Sequence, residues 1–150
     1  MTPTPPADDR AASLRDLVGA GRFADALRTF RENDGPGLRR QPELLLLAAT
    51  AATRLGDREA ARPLADAALA GFRARGDRDG RMRALNLLGV IGFEQGRLDD
   101  AEEAFRGALA LARELGDSLL AARASNNLAS LSHLRGRASE ALSLYRGALL

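Results

Sequence analysis

The sequence predicts an all-α solenoid of four helix-turn-helix hairpins, and three observations carry that expectation. A glycine-led segment recurs as GRFADA from Gly21, GDREAA from Gly56, GRLDDA from Gly96 and GRASEA from Gly136, at offsets of 35, 40 and 40 residues. Apolar residues on either side of these glycines keep helical spacing, as in Leu85, Leu88 and Ile91 before Gly96, and Ala101, Ala104, Phe105, Ala108 and Leu109 after it. No stretch alternates apolar and polar residues convincingly enough to read as a strand. A fixed period of this size marks a repeat architecture, in which each unit buries its apolar face against the next.

The elements follow in order. Residues 1–8, within MTPTPPADD, are proline-rich with an acidic end and read as a disordered lead; they lack the basic and apolar regions of a signal peptide. Residues 9–150 form the repeat domain, with hairpins over 9–32, 42–75, 80–115 and 118–150. Its helices are expected at 8–20, 23–32, 43–55, 58–75, 80–95, 98–115, 118–135 and 138–150. The glycine of each turn supplies the left-handed conformation that ends a helix. Between hairpins, Gly76-Asp77 and Gly116-Asp117 stop one helix and cap the next, and Asp99 and Ser139 are placed to cap second helices. Pro42 suits a first helical turn. The connection Asn33 to Gln41 holds two glycines and a proline and is expected to be non-helical. Phe23 and Phe30 are assigned to packing within the first hairpin, and the leucine runs and Phe93 to the core.

A chain of 150 residues suits a single domain with a real hydrophobic core. Its 22 basic residues are all Arg, set against 20 acidic ones, so the net charge is only +2. The pI near 10.2 therefore reflects the lack of Lys and Cys, which leaves little to titrate above neutrality, and not a basic surface. Arg and acidic residues are interspersed, which argues against nucleic acid as a partner. Absence of cysteine and a single His exclude a disulfide framework, a thiolate nucleophile and the usual metal clusters. The most apolar run, Leu44 to Ala52, is too short to cross a membrane. No phosphate-binding glycine loop or Ser-His-Asp set is present. The acidic pairs Asp99-Asp100 and Glu102-Glu103 fall on a first helical turn, where negative charge is favoured. The expectation is a cytoplasmic, non-catalytic protein without metal or cofactor.

The third repeat reads Leu85-x2-Leu88-Gly89 and then Ala101-x3-Phe105; the fourth reads Leu128-Ala129 and then Ala141-x3-Tyr145. In this the chain resembles tetratricopeptide repeat proteins, and the 40-residue period is similar to their long-helix variety. The resemblance covers nearly the whole chain from about Ala11 and is most specific in repeats three and four; repeat two has Ala65 where the aromatic belongs. It implies a right-handed superhelix whose first helices line a concave face, small residues at Gly89, Ala101, Ala129 and Ala141 where helices approach, and an aromatic at Phe105 or Tyr145 between hairpins. Gly92 and Ser132 stand where the family often has Tyr, which implies a less aromatic concave surface. The family's carboxylate clamp is not reproduced, because repeat one offers Ala11 and Arg15 and repeat two Leu47.

The function this implies is capture of a protein or peptide segment in the concave groove. The candidate contacts are Arg83, Asn86, Val90, Arg123, Asn126, Asn127, Ser130 and His133. Arg83-x2-Asn86 and Arg123-x2-Asn126 are i,i+3 pairs repeating in register, each on one helix face. Asn127 falls at a position where the family often bonds a ligand's backbone. Asn matches a peptide amide, and Arg forks onto carboxylates. The plainer readings stand beside these: Arg83 and Arg123 as solvated charges, Asn86 and Asn126 as bridges to backbone between hairpins, His133 as a partly buried interhelical residue. Leu142, Tyr145 and Leu149 recur at i, i+3 and i+7 on the final helix and are expected to meet either a following repeat, in a longer protein continuing beyond residue 150, or a second copy. The alternative function is self-association, or service as the sensor or regulatory segment of a larger signalling or transcription-regulating protein.

Overall fold

The computed structural model describes the backbone of residues 7–148 and the side chains of residues 12–148. Among these residues nine α-helices form and no strand does: α1 (Ala7–Gly19), α2 (Phe23–Glu32), α3 (Pro36–Arg39), α4 (Pro42–Arg54), α5 (Arg58–Ala74), α6 (Arg78–Glu94), α7 (Leu98–Leu115), α8 (Ser118–Leu134) and α9 (Ala138–Ala148). Eight of them are the expected helices. Helix α1 begins inside the expected lead, whose residues 1–6 lie outside the described residues, as do Leu149 and Leu150.

The ninth, α3, corrects the expectation that Asn33 to Gln41 carries no helix. Pro36 opens it, where a missing N–H costs nothing, after Gly35 in extended backbone. The Arg39 N–H reaches the Gly35 carbonyl at 3.0 Å. Leu38 is only 2% exposed, and α3 lies against α4. Burying that leucine outweighs the cost of glycine in so short a helix.

The helices gather into two compact units, residues 1–75 and 76–150. In the first, α1 pairs with α2 and α4 with α5, and α4 is also packed by α1, α2 and α3. Phe30 is buried, Phe23 half-buried. In the second unit α6 pairs with α7 and α8 with α9, and α7 packs against α8.

The turns are built as their glycines demand. At Gly96 (φ +73°) the Arg97 N–H bonds the Gly92 carbonyl at 2.8 Å and the Gly96 N–H bonds that of Phe93 at 3.1 Å, the paired bonds of a Schellman stop. The same pair closes the turns at Gly21, Gly56, Gly116 and Gly136. The carboxylates of Asp77 and Asp117 accept from the N–H groups of Gly80 and Leu120, as expected, and Asp57 caps α5 through Ala60 in the same way. The cap expected from Asp99 does not form. The N-cap of α7 is Arg97, without a side-chain bond, and Asp99 lies inside the first turn, where it accepts from Arg135 at 2.6 Å. Ser139 likewise lies inside α9.

In the second unit Ala101, Phe105, Ala108 and Leu109 of α7 pack with Ala124, Leu128 and Leu131 of α8. The Phe105 ring lies flush on the backbone at Gly89, leaving no room for a side chain there. A Cβ at Gly92 would stand 3.3 Å from backbone atoms of Arg97 and Ala101, and Ser132 is 1% exposed. These two positions therefore face the hairpin interior, and their small size says nothing about how aromatic the outer face is.

Candidate functional site

The face presented by α6 and α8 gathers most of the candidate residues. Its centre is a pocket of about 290 Å³ lined by Val90, Phe93, Glu94, Phe105, Asn127 and Ser130. That is at the small end for ligand sites and suits a side chain better than a whole cofactor. Val90, Phe93 and Glu94 come from the last turns of α6, Asn127 and Ser130 from mid-α8, and Phe105 rises from α7 beneath them.

Phe93 corrects the sequence reading. It is 37% exposed, an aromatic wall of the pocket and not a core residue. Its spacing of three from Val90 and seven from Asn86 puts it on their helix face, a signal overridden by its hydrophobicity. Glu94 was likewise missed. Among the described residues no cation pairs with it, and α6 carries no basic residue in its last turn, so its carboxylate adds to the negative end of that helix.

Asn127 is half-buried and donates through Nδ2 to Asn86 Oδ1 at 3.3 Å. Asn86 thus bridges α6 to α8 as the plainer reading had it, but through a side chain instead of backbone. The bond leaves the Asn127 Oδ1 as an acceptor beside the pocket. Ser130 Oγ lies 3.3 Å from the Tyr145 hydroxyl. Asn126 is exposed beside this pair.

The two arginines differ despite their register. Arg83 bonds Asp79 through Nε at 3.0 Å and has Asp117 at 3.9 Å. The Asp79 hydrogen bond raises its guanidinium pKa above the ordinary value. Its charge is already answered. Arg123 is exposed and, among the described residues, meets no carboxylate, because the residue one turn earlier is Leu119 where α6 has Asp79. His133 is exposed, which corrects its placement as a partly buried interhelical residue; it does not line the pocket.

Around the turn between α8 and α9 the charges are paired within the protein. Glu102, 19% exposed, receives Arg106, Arg135 and Arg137 at 3.3, 3.5 and 2.9 Å, and Arg106 also meets Glu140 at 2.7 Å. Only Asp99 and Asp100 lie in the first turn of α7; Glu102, expected there, falls in the second, and its network ties that turn to the turn between α8 and α9, a role beyond the dipole reading of those acidic pairs. A second pocket, of about 230 Å³ in the first unit, carries the bidentate pair Arg39–Asp34. Leu119, Leu134, Leu142 and Tyr145 are exposed at 66%, 61%, 51% and 41%; Leu149 lies outside the described residues. No described helix is long and apolar enough to cross a membrane.

Comparison with known proteins adds the following. A sequence model of the tetratricopeptide repeat matches residues 80–149. The crystal structure of MamA superposes with a TM-score of 0.74 over 95% of this chain and 75% of that one, at 19% identity, a likeness of fold. A search of curated proteins finds no match.

Proposed function

We propose that this chain, a tetratricopeptide repeat protein over residues 80–149, is a non-catalytic module that holds an extended segment of a partner protein along the α6/α8 face. The repeat is a protein-interaction module. The observation that carries the finer reading is the pocket walled by Val90, Phe93 and Phe105 and edged by Asn127 and Ser130. An apolar floor receives one side chain of an extended strand, while the Asn127 carbonyl and the Ser130 hydroxyl stand where they can bond its backbone N–H groups. Asn126 and Arg123 extend the polar rim.

The test is capture of partners from a native lysate by the wild-type chain, by an Asn126→Ala/Asn127→Ala variant and by a variant on the outer face of α7, Arg113→Ala. A partner lost from the first variant and kept by the second supports the reading. A partner kept by the first and lost from the second refutes it.

A second reading, self-association through the last hairpin, draws on the exposure of Leu142 and Tyr145. Large apolar side chains gathered on a surface mark interfaces. In the preceding hairpin the position equivalent to Leu142 is Glu102, the hub of an ion network, so α9 presents apolar surface where α7 presents charge. Light scattering at two concentrations checks it: mass that rises with concentration and stays monomeric in Leu142→Glu supports it, and a monomer at both concentrations rules it out.

A further inference from the structure

We infer that the α6/α8 pocket recognises a cation, the Arg or Lys side chain of a partner segment, with Glu94 as its counter-charge. The inference rests on the groove reading above and names the chemistry of the segment that the groove takes.

Four observations on the pocket converge. Its lining includes two phenyl rings, Phe105 as a buried floor and Phe93 as the exposed wall, and a ring face such as that of Phe93 attracts a cation held within about 6 Å of its centroid. Its charged member is a carboxylate, Glu94, which no cation of the described residues answers. The helix that ends there, α6, brings the negative end of its dipole with no basic residue in its last turn. Finally, the polar atoms at the far wall can accept. Asn127 uses an N–H on Asn86 and keeps its Oδ1, and the Ser130 hydroxyl can accept or donate. A guanidinium or ammonium has only donors to offer and so fits a wall of acceptors. A partner carboxylate would meet Glu94 directly and pay a like-charge penalty there.

The charge balance at the pocket itself points the same way: Arg123, which meets no carboxylate among the described residues, sits one turn before Asn127 on α8 and does not line the pocket. The arginines of the adjoining turns, Arg97, Arg135 and Arg137, have carboxylate partners of their own in Asp100, Asp99, Glu102 and Glu140, and Arg83 has Asp79. Glu94 stands apart from these pairs. The segment that fits carries a basic residue whose aliphatic stem lies along Val90 and Phe93, with an apolar neighbour.

The experiment pans a phage-displayed random dodecapeptide library on the full chain. The selected sequence is then synthesised with Arg, Lys, norleucine or Glu at its enriched position, and anisotropy titrations compare wild type, Glu94→Gln, Glu94→Arg and Phe93→Ser. The expected result is enrichment of Arg or Lys, and a loss of about three- to tenfold on replacement by norleucine, as a partly exposed charge pair with a cation–π contribution gives. In Glu94→Gln the preference for Arg over norleucine should shrink to the part left by Phe93 and the helix end, and the salt dependence should flatten; in Glu94→Arg the Glu peptide should bind best. Peptides that bind, are lost in Phe93→Ser and show no basic preference overturn the cation assignment while leaving the groove reading in place. Failure to select any peptide, or selected peptides indifferent to Phe93→Ser, overturns both. Glu94 is exposed, so its variants fold; unchanged helical circular dichroism checks this.

Discussion

Replacing Gly89 by alanine adds a single methyl group to the middle of α6, and the outcome depends on which of two opposed effects is larger. Helix propensity alone favours alanine over glycine by about 1 kcal/mol. Against this, the new Cβ would lie 2.8 Å from Phe105 Cγ and nearer still to Cδ1 and Cε1 of the same ring. Real Cβ atoms do not approach carbon that closely. The ring cannot simply swing clear, since Cγ is fixed to the Phe105 backbone by one intervening carbon and the side chain is 2% exposed among α7 and α8. Overpacking of a dense core costs about 1–3 kcal/mol, and a clash at the root of a ring belongs in the upper part of that range. The expected net is destabilisation by about 1–2 kcal/mol, a fall in Tm of roughly 2–8 °C for a chain of this size. Thermal and urea unfolding measure it. Gly107→Ala is the control: its Cβ would meet only Leu85 Cδ1, at 3.2 Å, the free end of a flexible side chain, so the propensity gain should survive and leave this variant as stable as wild type or more so. Phe105→Leu, which removes ring atoms, should relieve the clash, so that the double variant costs at least about 0.5 kcal/mol less than the two single costs added. Gly89→Ala at or above wild-type stability, or strict additivity with Phe105→Leu, would refute the packing argument.

Three other perturbations follow from the same geometry. Gly96→Ala adds a methyl into open space, so its whole cost is the positive φ of +73°; urea unfolding should show a loss of about 1–2 kcal/mol, with a smaller loss for Gly96→Asn. Ala101→Leu, at a position with 0% exposure, should destabilise by about 1–3 kcal/mol, and an unchanged denaturant midpoint would mean that the helix crossing is looser than described. The hydrogen bond from Arg39 holds the Asp34 carboxyl below its ordinary pKa. A depressed folded pKa contributes stability that is present above the unfolded value and lost as pH falls through the folded one. An NMR titration of Asp34 should therefore give a midpoint below the usual aspartate range that rises in 1 M salt, because both partners are partly exposed; a midpoint at the ordinary value would remove the pair from the acid-stability account.

What could be read in the sequence divides along a physical line. The helices and turns were legible because their determinants are local: a glycine whose φ must be positive, an aspartate three residues before the N–H it caps, an apolar period of 3.6. The misplaced caps at Asp99 and Ser139 are errors of one or two residues in where a helix starts, since α7 begins at Leu98 and α9 at Ala138, whereas the unexpected α3 marks where a non-local term, the burial of Leu38, decides. The α6/α8 face was half legible. Register grouped Arg83 with Arg123 and Asn86 with Asn126, yet equivalent positions meet different neighbours in successive hairpins. Arg83 finds Asp79 where Arg123 finds Leu119, and Asn86 bonds Asn127, one residue off the repeat. Phe93 shows the deeper limit. A phenylalanine on an amphipathic helix is assigned to the core by composition, and only the helix-face angle it shares with Val90 and Asn86 contradicts that. Hydrophobicity says that a side chain gains by leaving water; it does not say whether the surface that covers it belongs to the same chain or to a partner. That distinction comes from counting which neighbours the fold supplies, and at Phe93 and Glu94 the fold supplies an exposed ring over a buried one and a carboxylate with no cation to face them.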